Sequence, residues 1–223
     1  STSQAEIFVG WVNAQSFLSF SQTPNGPQTL RDVNVETGEA NIIFIAAFKG
    51  VAFDPESKFL ALMLDQASAV VQDRTAGIYG LQASSPNLQL IRAGIFNHLA
   101  WNSGGMFIAS GPSGVFGLSP TGTNLFLPAE ENASLAPNGN WLIAWGTGPE
   151  NTNGARLYQT PIDQPLQTLL FTSVETVIWQ SDSHGLLLLS EGTLYHLVFP
   201  GLKPQVVASE FFQGSPKVFV WVE

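Results

Sequence analysis

The side chains able to carry chemistry in this chain are few and dispersed. Three histidines, His98, His184 and His196, fall at the expected start of a strand, in a turn and in a later strand. A shared metal needs ligands that converge, and these placements point to different parts of a fold, so ordinary hydrogen-bonded histidines are expected. Glu6, Glu130, Glu131, Glu175 and Glu210 lie in or before short apolar segments. Two or three carboxylates meeting at one place would suit glycoside hydrolysis. Only Glu130 and Glu131 are adjacent, and a pair of neighbouring charges reads as a solvated loop. Asp65 and Asp73 flank Gln66–Gln72, without the tight run of oxygen ligands that calcium requires. No Gly-x-Ser-x-Gly pattern marks a hydrolase nucleophile, and with no cysteine there is no thiolate chemistry or disulfide. The expectation is a protein that is not an enzyme, with no catalytic residue, metal or cofactor.

Composition explains how such a chain folds. Of its 223 residues 44% are hydrophobic and 11% charged, against roughly 25% charged in an ordinary domain. Its surface must therefore be Ser, Thr, Asn, Gln and Gly, which suits strands joined by turns built from 21 Gly and 14 Pro. Helical bundles need long Glu/Lys faces instead, and no segment shows one. The net charge is −9, and the eight Lys and Arg are scattered singly. Nucleic acid and anionic membrane surfaces are poor partners for such a chain. No apolar run reaches the length of about 18 residues that spans a bilayer, and Ser1-Thr-Ser-Gln4 carries no secretory leader pattern.

A unit of about 42 residues recurs. It opens with a short apolar strand ending in a bulky anchor, passes a polar turn, and continues in a more apolar strand. The anchors are Trp11, Phe53, Trp101, Leu135 and Trp179, with a sixth, Trp221, at the end of Val218-Phe-Val-Trp221; their spacings are 42, 48, 34, 44 and 42. Turns such as Asp54-Pro-Glu-Ser57, Ala136-Pro-Asn-Gly139 and Ser181-Asp-Ser-His-Gly185 separate the first two strands. A third strand follows in each unit (residues 31–35, 77–81, 114–118, 155–159 and 193–197), then a turn and an outer fourth strand. First and second strands are expected to be buried on both faces, and third strands to alternate nearer the rim. Four antiparallel strands repeated radially make a β-propeller blade. The expected fold is thus a single all-β domain, with units over residues 5–47, 48–93, 94–129, 130–171 and 172–210 and a closing strand at 217–223. Five blades are favoured; membership of a larger ring is the alternative.

Phe53-Asp-Pro-Glu-Ser-Lys-Phe-Leu-Ala61 and Leu135-Ala-Pro-Asn-Gly-Asn-Trp-Leu-Ile143 resemble the TolB-like propellers, whose repeat runs aromatic, Ser-Pro-Asp-Gly, apolar strand. Trp101-Asn-Ser-Gly-Gly105 approximates the motif, and the likeness spans nearly the whole chain. The Gly-His and Trp-Asp dipeptides of the related WD-repeat propellers are absent. The resemblance implies a fold and little function, since such propellers serve as partner platforms and as accessory domains of hydrolases.

In such a blade the first-to-second and third-to-fourth turns share one face, and the lead-in and second-to-third loops share the other. The former are short and rich in Pro, Asn and Gly; the latter, at 21–28, 65–76, 146–154 and 209–216, are longer and varied. Recognition usually sits on variable loops of a rigid scaffold. The expected binding residues are Phe48, Phe96, Phe211 and Phe212 with Asp73, Arg74, Glu130 and Glu131; the competing reading has the phenylalanines plugging blade junctions. A protein is the expected partner, in an interaction or scaffolding role. Carbohydrate binding or glycan processing, or service as an accessory domain of a larger hydrolase, are the alternatives. Few lysines, no cysteine and a Ser/Thr/Asn/Gln-rich surface favour an extracytoplasmic setting, envelope or secreted.

Overall fold

The computed structural model describes residues 5–22, 27–82, 85–102, 105–119, 122–128, 132–146, 154–160, 165–169, 171, 173–199 and 201–209. Its strands form five four-stranded antiparallel sheets, each ordered as the chain runs. Blade 1 holds β1 (Ala5–Trp11), β2 (Ser16–Gln22), β3 (Gln28–Asn34) and β4 (Ala40–Ala46). Blade 2 holds β5 (Gly50–Asp54), β6 (Phe59–Leu64), a short helix α1 (Gln66–Val71), β7 (Gly77–Gln82) and β8 (Ser85–Ala93). Blade 3 comprises β9 (His98–Asn102), β10 (Met106–Ser110), β11 (Val115–Ser119) and β12 (Gly122–Leu127). Blade 4 comprises β13 (Asn132–Leu135), β14 (Trp141–Trp145), β15 (Ala155–Gln159) and β16 (Pro165–Leu169). Blade 5 comprises β17 (Val174–Trp179), β18 (Gly185–Ser190), β19 (Thr193–Val198) and β20 (Gln205–Ala208). The fold is an all-β propeller of five blades. The segment 217–223 lies outside the described residues.

The anchors occupy one register throughout. Trp11 pairs with Phe17, Phe53 with Leu60, Trp101 with Phe107, Leu135 with Leu142 and Trp179 with Leu186. Short polar side chains shape the turns that follow. Asp54 Oδ1 accepts from the Glu56 amide at 2.9 Å, Asn138 Oδ1 from Asn140 at 2.9 Å, and Asp182 Oδ1 from His184 at 2.9 Å. These Asx turns let a four- or five-residue link reverse the chain in a fixed geometry.

Four apolar clusters join successive sheets. Leu18, Phe20 and Leu30 of blade 1 pack with Phe53, Leu60 and Leu62 of blade 2. Ala61, Met63 and Ile78 meet Phe107, Phe116 and Leu118 of blade 3. Ile108 and Val115 meet Leu135, Leu142 and Ala144 of blade 4, and Ile143, Trp145 and Leu157 meet Trp179, Leu186 and Leu188 of blade 5. Polar ties reinforce them: the Lys58 ammonium donates to the Val12 carbonyl, Asn102 Nδ2 donates to Leu135 O at 2.6 Å, and the Asn138 amide donates to Ser183 Oγ at 3.0 Å.

Burial corrects the expected polarity gradient. The second strands are buried almost throughout, but so are the third strands β7, β11 and β15, which were expected to alternate. Among the first strands β13 and β17 alternate, with one side bordering the axial space, whereas β5 and β9 run from part-buried to buried. Second and third strands occupy the middle of each sheet, and in blades 2, 3 and 4 a neighbouring blade packs on each face, whereas β3 and β19 of the outermost described blades are mostly part-buried. The fourth strands are mostly exposed. A register shift separates every third strand from its fourth, at Leu30/Arg31, Ile78/Tyr79, Val115/Phe116, Leu157/Tyr158 and Leu194/Tyr195. Such bulges raise local twist and turn the outer edge away from further pairing. In four blades the shift falls on an aliphatic–aromatic pair.

Candidate recognition face

Among the described residues the longer-loop face is formed chiefly at blades 2 and 3. Between β6 and β7 the chain forms α1, where a loop was expected. Asp65 caps it: its carboxylate accepts the Ser68 amide at 2.8 Å, and that bond holds the Asp65 pKa below the ordinary carboxylate value. The helix is tethered, since Gln72 Nε2 donates to Ala47 O at 2.6 Å and to Ser68 O at 3.0 Å. Asp73 follows with φ of 51°, a left-handed conformation that acidic side chains tolerate. Arg74 donates its amide to Ala69 O at 2.9 Å and lays its guanidinium 5.6 Å from the Tyr79 ring centre. The Tyr79 hydroxyl in turn donates to Thr75 O at 2.7 Å.

The lead-in to blade 3 runs alongside. The Gly94 amide donates to Ala76 O at 3.0 Å, and the Ile95 amide donates to Ser113 Oγ at 2.7 Å, in the β10–β11 turn. Three loops are thereby hydrogen-bonded into one ridge. On it Val70 is 75% and Ile95 46% exposed, beside the exposed Asp73 and Arg74. An apolar pair flanked by opposite charges on bonded backbone is a chemically mixed, geometrically fixed surface.

Sequence-expected contact residues divide sharply. Asp73 and Arg74 lie on the ridge. Phe48 and Phe96 do not reach solvent: they are 1% and 2% exposed, packed on Phe20 at 5.5 Å and Phe116 at 6.0 Å between ring centres. The Phe48 amide donates to Gln28 Oε1 at 2.8 Å, so both phenylalanines hold the lead-in loops rather than present themselves. Glu130, Glu131, Phe211 and Phe212 lie outside the described residues. Nothing in the sequence marks Val70 or Ile95 as surface residues. The signal for α1 was present, an Asp immediately before Gln-Ala-Ser-Ala-Val-Val.

Two concavities lie among the described residues as well. The first strands of blades 3, 4 and 5 line an axial pocket of about 350 Å³, with His98, Trp101, Asn132, Ser134, Glu175 and Trp179 among its walls. The Trp179 indole N–H donates to Ser134 Oγ at 3.1 Å, and Glu175 accepts from the Gly192 amide at 3.3 Å. Desolvation pushes the His98 imidazole below its ordinary pKa and keeps it neutral near pH 7. Outside, a groove of about 620 Å³ between blades 2 and 3 is lined by neutral side chains including Gln82, Asn87, Gln89 and Thr123. Among the described residues no three His, Asp or Glu side chains come together as a metal site, and no helix is long and apolar enough to cross a membrane.

No protein-family model matches the chain, and no curated protein matches it. Solved structures do. TolB from Acinetobacter baumannii aligns over 94% of this chain and 57% of its own, with a TM-score of 0.62 at 12% identity. An oligogalacturonate lyase solved with manganese aligns over 90% and 67%, with a TM-score of 0.64 at 11% identity. A chain of the mitotic checkpoint complex aligns over 89% and 63%, with a TM-score of 0.62 at 12% identity. The chain therefore spans little more than half of that TolB. At these identities the likeness concerns the propeller fold, which hosts binding proteins and enzymes alike.

Proposed function

We propose that this chain is a non-catalytic propeller acting as a protein-interaction or scaffolding module, and that it docks its partner on the longer-loop face at blades 2 and 3. The observation that carries this reading is the ridge of Val70, Asp73, Arg74 and Ile95, whose loops are bonded to one another through Ala76–Gly94 and Ile95–Ser113. A surface already ordered loses little conformational entropy on binding. Exposed aliphatic side chains beside charges of both signs supply both desolvation and orientation. Photo-crosslinking groups placed at Val70 and Ile95 should capture one polypeptide from the native host, while the same group at Asn138 on the opposite face should not. Val70→Asp should then abolish binding of the purified partner without altering the melting temperature. Equal capture from both faces would refute the proposal.

A carbohydrate reading has one observation in its favour, the axial pocket, where Trp101 and Trp179 stand near Asn132, Ser134 and Glu175. Glu175 is the single carboxylate among its described walls, so the pocket suits holding a polyol better than hydrolysing one. A glycan array without hits would remove this reading. The extracytoplasmic setting rests on composition alone, and fractionation of the native host tests it.

A further inference from the structure

We infer that the axial pocket binds an amphiphilic organic ammonium ion, its cationic head at Glu175 and its flat apolar body against the Trp101 and Trp179 indoles. The first strands β9, β13 and β17 supply most of the walls. Strand register sorts those walls into two tiers. At the longer-loop end stand His98, Asn132 and Glu175, each at or next to the start of its strand, with Trp145 paired opposite Asn132. At the other end stand the anchors Trp101, Leu135 and Trp179. Glu175 and Trp179 are four strand steps apart, about 13 Å along the chain. A ligand reaching both tiers is polar at one end and apolar at the other. A polyol can use Asn132 and Ser134, but it gives this tiered order no role.

The polar tier selects charge. Glu175 is the one charged side chain among the described walls, and it falls in a register shift between Val174 and Thr176 that β9 and β13 lack. Bulges of this kind re-aim a side chain beside a site. Glu175 Oε1 accepts the Gly192 amide at 3.3 Å, a long bond that orients the carboxylate without neutralising it. His98, held neutral by desolvation, adds no competing cation. An anion entering here meets a carboxylate and no Lys or Arg among the described walls, whereas a cation meets that carboxylate and the electron-rich faces of indoles. The aromatic tier is fixed in place. Trp179 stacks on Phe199 at 5.8 Å and donates to Ser134 Oγ, and Trp101 packs on Phe107 at 4.8 Å. Side chains already held lose little entropy when a ligand arrives. A volume of about 350 Å³ sits at the small end of ligand sites and suits one ring with a short arm.

Three probes share a phenyl ring on a two-carbon arm and differ in charge: 2-phenylethylamine, 2-phenylethanol and phenylacetate. Added to the full chain at millimolar concentration, the amine should bind roughly ten-fold more tightly than the alcohol, as one charge-assisted contact supplies. It should shift the Trp101 and Trp179 indole N–H resonances, and phenylacetate should not bind. Glu175→Gln, a near-isosteric change at an exposed residue, should bring amine and alcohol to equal affinity and leave the melting temperature unchanged. Methylammonium, a head without a body, should leave both indole resonances in place. Phe-Gly-Gly carries the same head and ring on a peptide. Binding as tight as the amine's would put the natural head on a polypeptide terminus and weaker binding on a free amine, and either supports the site. Equal binding of amine and alcohol by the parent chain, a charge preference that survives Glu175→Gln, amine binding that moves neither indole, or no amine binding would each overturn the inference. Glucose shifting both indoles where the amine does not would also overturn it and assign the pocket to polyols.

Discussion

Asn102 gives the stacking of blades a measurable energy. Its side chain is 7% exposed at the end of β9, and its amide nitrogen donates to the carbonyls of Leu135 and Ala136 at 2.6 and 3.2 Å, both across the junction with blade 4. Each such bond contributes about 0.5–1.5 kcal/mol net, and although the Ala136 carbonyl keeps the Gly139 amide at 2.9 Å, both inter-blade bonds are lost together, so Asn102→Ala should cost about 1–3 kcal/mol. Asn102→Asp separates this cause from simple loss of packing. It keeps the shape but turns an acceptor toward two acceptors, which raises the folded-state pKa of the new carboxyl above its unfolded value of about 3.9. A group with a raised folded pKa contributes fully below the unfolded value and loses that contribution as pH rises through the folded one. The Asp variant should therefore lie near the Ala variant at pH 4 and fall below it by pH 7.5. Urea unfolding of the three chains at both pH values measures this directly. An Ala variant within about 0.5 kcal/mol of the parent, or an Asp deficit independent of pH, would refute the inter-blade tie.

Phe48→Ala and Phe96→Ala should each cost about 3–5 kcal/mol by denaturant titration, and neither should alter affinity for a partner beyond that loss of folded protein. Asp65→Ala should cost about 1 kcal/mol through loss of the α1 cap and speed amide exchange over 66–72. Because the Asp65 pKa is lowered, that contribution is present above the ordinary value of 3.8 and fades as pH falls through the folded value, so the variant and parent should converge in acid. His98, also lowered, contributes stability above the ordinary 6.5 that is lost as pH falls through its folded value; His98→Gln should flatten the stability profile between pH 7.5 and 5, and the His98 ring protons should titrate below 6.5.

The parts of this fold visible in the sequence are those with local causes. Anchors such as Trp101 and turns such as Asp54-Pro55 mark each blade because a hairpin is specified by a few contiguous residues. Burial of β7, β11 and β15 was not visible, since residues such as Gly80 and Gly117 alternate with apolar ones yet are enclosed by the next blade. The bulges left a trace that local reading passed over, the repeated pairs Ile78-Tyr79, Val115-Phe116, Leu157-Tyr158 and Leu194-Tyr195. The six-residue α1 is too short for helical periodicity to register. Site residues were the least legible. An exposed Phe and a junction-filling Phe are identical in sequence, and whether Phe48 faces solvent is decided by Phe20, a neighbour 28 positions away. Val70 stands out only once its helix is known to project.

The central claim is that consecutive sheets stack face to face with their anchors in equivalent places. Nuclear Overhauser contacts in isotope-labelled protein test it most directly. Stacked blades should give cross-peaks from the Trp179 indole proton to Ser134 between blades 5 and 4, from the Asn102 side-chain amide to Ala136 between blades 3 and 4, and between the Phe59 and Phe107 rings of blades 2 and 3. Cross-peaks confined to strands within each sheet, with none between these pairs, would contradict it.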